Sequence, residues 1–279
     1  MTESRPNIAD KRRAFRQLHE SGCFVLPNPW DIGSARYLQG LGFKALATTS
    51  SGFAWSRGLR DGAADLDVVL RHLNDIVTAT DVPINADFES GFARDAAGVA
   101  QHVRLAVDTG VAGLSIEDST GDASAPLYEL TVAVERIRAA RRAIDQAGGD
   151  TLLVGRAECF LVGRTDLDET IGRLKAYANA GADCLYAPGI RTPEQIKAVV
   201  AAIAPKPINL LVGWPSDMTM REIESLGVRR VSVGGALART AWGGFMRAAR
   251  LLADEGRFVG FADAASGHDL NSLFGDREE

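Results

Sequence analysis

Three short apolar runs of this chain end in charged residues: Asp87-Phe88-Glu89, Glu117-Asp118 and Arg156-Ala157-Glu158. In an extended strand, side chains two apart share a face, so Asp87 and Glu89 are expected side by side. Four or five carboxylates gathered at one place repel one another unless a cation or shared protons relieve the charge, and oxygen-only ligands favour a hard ion. Mg2+ is the natural candidate, with Mn2+ as the alternative. Such an ion uses one or two carboxylates directly, reaches others through water, and chelates a 2-oxo acid through two oxygens. Arg156 is then placed to clamp a substrate carboxylate with both arms of its guanidinium. The turn Thr48-Thr49-Ser50-Ser51-Gly52 is small and hydroxylated, so its backbone can approach a ligand closely. Any one of these acids could instead cap a helix, and Glu158 or Asp118 could simply pair with Arg156. The combination of Asp87, Glu89 and Glu117 is what points to a metal.

These residues need elements to hold them. Eight β-prone runs recur along the chain at 23–29, 45–50, 83–89, 113–118, 152–158, 184–189, 208–213 and 230–235. A segment with helical apolar spacing follows nearly every one, which is the pattern of repeated βα units around a parallel sheet. Eight parallel strands imply a closed (β/α)8 TIM-type barrel, in which the strand C-termini converge on one mouth. Residues 1–279 are read as one barrel domain. Residues 1–20 form an N-terminal helix that plugs the barrel bottom, and about 240–279 form a C-terminal helical extension whose surplus apolar residues suggest a contact between subunits. The last dozen residues, polar and acidic, read as an unstructured tail.

Composition narrows the partners. With 31 Lys and Arg against 36 Asp and Glu, the formal charge is −5, and no basic run marks a nucleic-acid or anionic-membrane surface. No apolar stretch is long enough to span a bilayer and no signal peptide opens the chain, so a cytoplasmic protein with a small-molecule partner is expected. Cys23, Cys159 and Cys184 lie far apart without paired spacing, as expected of reduced core thiols. None of the four histidines or five lysines falls at a strand end, which argues against a histidine metal site or a Schiff-base lysine.

The motifs LPNPWDIGSA, TTSSGFAWSRGLRDG, PINADFESGF, LSIEDST, VGRAE, PINLLVG and RVSVGG occur in an order and at spacings that resemble the isocitrate lyase and phosphoenolpyruvate mutase superfamily, over roughly residues 10 to 250. That resemblance implies a (β/α)8 barrel, a homo-oligomer (dimer or tetramer) that exchanges its last helix between neighbours, and Mg2+ at the strand-3 and strand-4 acids. It implies Asp87 as the direct ligand, with Glu89 and Glu117 holding metal waters. It further implies Asp61 near metal and substrate, Arg156 and Asn209 gripping the substrate carboxylate, and Ser50, Ser51 and Gly52 holding the oxo acid. Asp61, Arg156 and Ser51 are the catalytic set by this resemblance.

One departure bears on the reaction. Lyases similar to 2-methylisocitrate lyase carry a cysteine acid in the loop after strand 4, and the phosphonyl-transferring relatives carry a lysine and an asparagine there; here the loop reads STGDASAPLYEL and has none of these. Strand 6 ends Ala187-Pro188-Gly189, where relatives often carry Glu or His. The expected activity is a lyase-type reaction on a small 2-oxo acid or dicarboxylate, by oxaloacetate-like decarboxylation or C–C cleavage through a pyruvate enolate. Phosphonopyruvate mutase or hydrolase chemistry, with Arg57, Arg60 or Arg191 replacing the loop cation, is the alternative, and a noncatalytic oxo-acid binder is a third reading.

Overall fold

The computed structural model describes residues 5–275. Eight parallel strands, β1 (Phe24–Leu26), β2 (Leu46–Ala47), β3 (Ile84–Asp87), β4 (Gly113–Glu117), β5 (Leu152–Arg156), β6 (Cys184–Tyr186), β7 (Ile208–Leu211) and β8 (Arg230–Ser232), are laddered in the order β1-β8-β7-β6-β5-β4-β3-β2. A backbone bond from Ala47 N–H to the Pro27 carbonyl, 3.0 Å, draws the two end strands together. The result is the (β/α)8 barrel that the βα repeat predicts.

The helices are α1 (Ile8–Leu18), α2 (Ile32–Gly40), α3 (Ser50–Ser56), α4 (Leu66–Ala79), α5 (Ala96–Asp108), α6 (Leu130–Gln146), α7 (Leu167–Asn179), α8 (Pro193–Ile203), α9 (Met220–Ser225), α10 (Ala236–Glu255) and α11 (Gly267–Phe274). Many begin on a side chain that satisfies orphan N–H groups: Asp31, Thr49, Asp95, Asp166, Thr192 and Thr219 each accept from the first helical turn. The junctions before β4 and β6 turn on Gly110 and Gly181, both in the left-handed region. Among the described residues no helix is long and apolar enough to cross a membrane.

Strand alternation divides the apolar residues between two places. Ile84, Leu114, Ile116, Leu153, Leu185, Ile208, Leu210 and Val231 face outward into the main core beneath the helices. Inside the barrel there are only small clusters, one being Phe15, Leu26, Ala45, Ala47, Ala112 and Leu152. Phe15 of α1 is fully buried and closes the barrel bottom as expected. Gly113 permits this, because a Cβ there would sit 2.7 Å from the Phe15 ring and 2.8 Å from Asn85 Oδ1. The tail differs from expectation: it forms α11, whose Phe274 lies under the Arg36 guanidinium at 5.6 Å, and residues 276–279 of it lie outside the described residues. Capping by Ser266 and the contact of Phe274 with Arg36 support a helix in a stretch that composition alone reads as loose.

Candidate active site

A cavity of about 190 Å3 opens at the C-terminal mouth of the barrel, lined by the strand-2 turn, Asp61, Asp87, Arg156 and Tyr186, with Asn85, Asn209 and Arg230 also on its wall. It falls below the ~300 Å3 lower end of typical ligand pockets, so its ligand has few heavy atoms.

The strand-2 turn is fixed before any ligand arrives. Asn28, after β1, donates to the Thr48 carbonyl at 2.9 Å and accepts from the N–H groups of Val233 and Gly234 at 2.9 and 2.8 Å, tying three strand ends together. Thr48 Oγ1 accepts from Asp87 N–H at 2.9 Å, and Ser50 N–H donates to Asp87 Oδ2 at 3.0 Å. Ser51 Oγ stands 3.1 Å from Thr49 Oγ1 and would collide with a Cβ at Gly235, which is 2.7 Å away from it. Ser50 and Ser51 line the cavity; Gly52 does not. Its N–H bonds to Thr49 Oγ1 at 3.3 Å and its Cα packs where a Cβ would strike Thr49, Trp30 and Ala238.

Arg156 is the hub of the acids. Its Nη1 touches Asp87 Oδ1 at 3.2 Å and Glu117 Oε2 at 3.3 Å, and its Nε meets Glu158 Oε1 at 2.5 Å. Burial opposes the guanidinium charge, but Glu158 and Glu117 more than restore it and hold its pKa well above the usual value. Burial and the neighbouring acids raise Glu117 and Glu158 even against Arg156. Glu89 is pushed up to about 7, first by burial and then by Asp87 and Asp61. Asp61 is raised by partial burial and by Asp87, against a hydrogen bond from Ser50.

The placement of Glu89 departs from simple alternation. β3 ends at Asp87, and Glu89 adopts a left-handed backbone (φ 45°), so it reaches the acid group through a turn rather than along a strand face. Asp118 departs further, pointing out of the barrel: its carboxylate accepts from Arg173 Nη1 at 3.2 Å, the Tyr177 hydroxyl at 2.5 Å and Glu158 N–H at 2.8 Å. It is a buried bracket between β4, β5 and α7. Cys159 is fully buried and does not line the cavity. Asn209 is fully buried lower in the barrel, bonded to Ser232 and Arg230.

The donors are oxygen only, as a hard cation prefers, and burial, with the neighbouring acids second, raises Glu89 and Glu117, a cost that a dication beside them would partly relieve. Among the described residues no three such side chains stand at metal-binding spacing, since the bridge between Asp87 and Glu117 is the Arg156 guanidinium itself. The loop from Ser119 to Leu127 closes on itself through an antiparallel bridge, and no Cys, His or Lys stands in it.

Asn28, Asn85, Tyr186, Arg230 and Ser232 line the cavity without having been singled out from the chain. The period of two, carried back from each strand end, marks Asn85 below Asp87 and Ser115 below Glu117. Nothing local marks Asn28, whose role depends on β8.

The phosphoenolpyruvate phosphomutase family model matches residues 15–253. An uncharacterized protein of Mycobacterium tuberculosis (strain CDC 1551 / Oshkosh) is 30% identical over 86% of this chain and 89% of its own length. A 2-methylisocitrate lyase of Halalkalibacterium halodurans is 26% identical over 91% and 85%. An oxaloacetate decarboxylase of Rhodopseudomonas palustris (strain BisB18) is 28% identical over 80% and 77%. Among solved structures, a Burkholderia cenocepacia J2315 protein described as a lyase/mutase superposes with a TM-score of 0.93 at 46% identity, over 96% of this chain and 98% of that one. Oxaloacetate acetylhydrolase bound to its product oxalate superposes at 0.85 and 28% identity, over 96% and 95%. Eight strands, the acidic mouth and this similarity along nearly the whole barrel agree: the chain belongs to the phosphoenolpyruvate phosphomutase family, within the PEP mutase/isocitrate lyase superfamily.

Proposed function

We propose that this protein is a Mg2+-dependent lyase that cleaves a C–C bond of a small 2-oxo acid or dicarboxylate, with oxaloacetate-like decarboxylation as the leading reaction. The observation that carries this reading is the pairing of a small, acid-rimmed cavity with a loop after β4 that is bare of Cys, His and Lys. Decarboxylation needs no acid in that loop to break the bond. Relatives named oxaloacetate decarboxylase and oxaloacetate acetylhydrolase support the substrate class.

Asp87 would hold the ion directly and Glu89 and Glu117 its waters, supplying Lewis-acid polarisation of the oxo acid. The chain's own groups do the rest. The Ser50-Ser51 turn, locked by Thr48 and Asp87, presents hydroxyls to the oxo group, and preorganised donors at a developing oxyanion are worth orders of magnitude in rate. In decarboxylation the C3–C4 bond breaks, CO2 departs, and the electron pair moves onto the C2 oxygen as pyruvate enolate, which takes a proton at C3. Tyr186 supports the wall beside Arg156, its ring 5.1 Å from the guanidinium and its phenol kept neutral, pushed up to about 12 by burial. Arg156 keeps the acids from repelling one another.

The chain is read as one barrel domain that assembles as a homo-oligomer: Trp242, Phe245 and Met246 on α10 and Phe258 and Phe261 beyond it leave an apolar face open. Arg57, Arg60 and Arg191 do not line the cavity, and Arg191 stacks on Trp214 at 4.1 Å, which supports placing phosphonyl chemistry second.

The test is a panel of oxaloacetate, phosphonopyruvate and 2-methyl or 2-hydroxy dicarboxylates with Mg2+, following pyruvate and phosphate. Pyruvate from oxaloacetate well above the Mg2+-only background is expected. Phosphate from phosphonopyruvate would reverse the order, and Mg2+-dependent binding without turnover would make the protein a binder.

A further inference from the structure

Arg230 opens β8, is 2% exposed, and lines the cavity below the acid group. Its partners are neutral: Nε donates to Asn209 Oδ1 at 2.8 Å, and Nη1 stands 3.4 Å from Asn85 Oδ1 and 3.3 Å from the His19 ring. That ring is itself kept neutral, its pKa brought down to about 3 by burial and by Arg230. Among the described residues no carboxylate pairs with Arg230, whereas Arg156 has three. A guanidinium keeps its proton in proteins, and a buried charge without a countercharge is costly to maintain. Here that charge faces a cavity. The strand register runs Arg156, Tyr186, Asn209, Arg230, so one polar stripe descends from mouth to floor.

We propose that Arg230 is an anion subsite at the floor of the cavity that takes the distal carboxylate of a short dicarboxylate and so selects dianionic over monoanionic 2-oxo acids. The mouth is crowded with acids and repels a second carboxylate; the floor is the place where positive charge is uncommitted. The reach fits. Asn85, in contact with Arg230, lies two residues below Asp87, about 7 Å along the strand. A four- or five-carbon dicarboxylate held near Asp87 extends toward that floor, and a three-carbon monoacid stops short of it. This subsite rests on reading the cavity as a 2-oxo acid site.

The test titrates the full-length protein in Mg2+ with fresh oxaloacetate, pyruvate and succinate, with thermal unfolding of each variant alongside. Wild type is expected to bind oxaloacetate roughly ten- to hundredfold more tightly than pyruvate, the range of a charged hydrogen-bonded pair. Arg230→Gln should collapse that ratio toward one by weakening the dicarboxylates alone, and Arg230→Lys, which keeps the charge without the fork, should retain part of it. Equal weakening of both ligands, an unchanged ratio in a folded variant, or no dicarboxylate binding by wild type overturns the subsite. Should the Gln variant not fold, the Lys variant decides: an unchanged ratio again overturns it. Arg230-dependent succinate binding with neither oxo acid bound leaves the subsite standing and removes the 2-oxo acid reading. Binding of oxo acids at an Arg230-independent ratio does the reverse.

Discussion

Arg156 Nη1 reaches Asp87 Oδ1 at 3.2 Å from β5 to β3, across the intervening β4. Strands two apart in a sheet lie about 10 Å from each other, and the long Arg156 side chain, pointing into the closed barrel, spans that gap. The same nitrogen meets Glu117 on β4, so one guanidinium balances three strand ends.

Asp87 therefore has two duties, toward Arg156 and toward Ser50 N–H. Asp87→Ala is expected to lower turnover at least a hundredfold and to abolish Mg2+-dependent thermal stabilisation, which for a tight site at 100 times Kd amounts to about 2.7 kcal/mol in wild type. Melting curves with Mg2+ and with EDTA check this; a retained Mg2+ shift would remove Asp87 from the metal.

Asp118 should behave differently from the acids it sits among. Asp118→Ala strips a buried carboxylate from Arg173 and Tyr177, leaving Arg173 with Glu169 and the Tyr128 carbonyl and the buried Tyr177 hydroxyl without its acceptor. A loss of about 3–5 kcal/mol in denaturant unfolding is expected, with Mg2+ stabilisation retained in the folded fraction.

Asn28→Ala cuts three hydrogen bonds that tie β1, the strand-2 turn and β8. Two backbone N–H groups and a carbonyl lose their partner, so about 2–4 kcal/mol should be lost. Because Thr48 is one of the anchors, turnover should also fall, and a variant of wild-type stability and rate would show that the brace is redundant.

Acid should destabilise the fold through two imidazoles. Burial lowers His19 to about 3 and His72, stacked on Phe53 at 3.9 Å, to about 4. Their folded values lie below the ordinary 6.5, so the unfolded chain binds more protons between. The contribution of these two imidazoles is whole above pH 6.5 and drains as pH falls toward 4, each adding a slope of at most about 1.4 kcal/mol per pH unit. Urea unfolding at pH 7 and 5 should show His72→Leu flattening that slope; an unchanged slope would mean the imidazole is not held neutral.

Cys159→Ser should leave turnover nearly intact. The thiol is fully buried and burial raises its pKa, so it is neither nucleophile nor acid toward the cavity. A collapse of activity with the fold preserved would place it in the chemistry after all.

Periodicity along the chain determined the barrel. Strand alternation and helical spacing are local properties, and eight βα repeats leave few other closed arrangements. The same alternation carried Asp87, Glu117 and Arg156 to the mouth. It stopped being informative where the backbone left the strand: Glu89 turns left-handed, and Asp118, adjacent to Glu117, must face away from it. Asn28, Asn85 and Arg230 became legible only in three dimensions. Asn28 acts on β8, more than 200 residues away in the chain, and the uncommitted charge of Arg230 depends on which acids the closed barrel keeps from it. Spacing in sequence determines which face a side chain takes; the company it keeps there is decided by closure of the barrel, because electrostatic partners are set by distance in space.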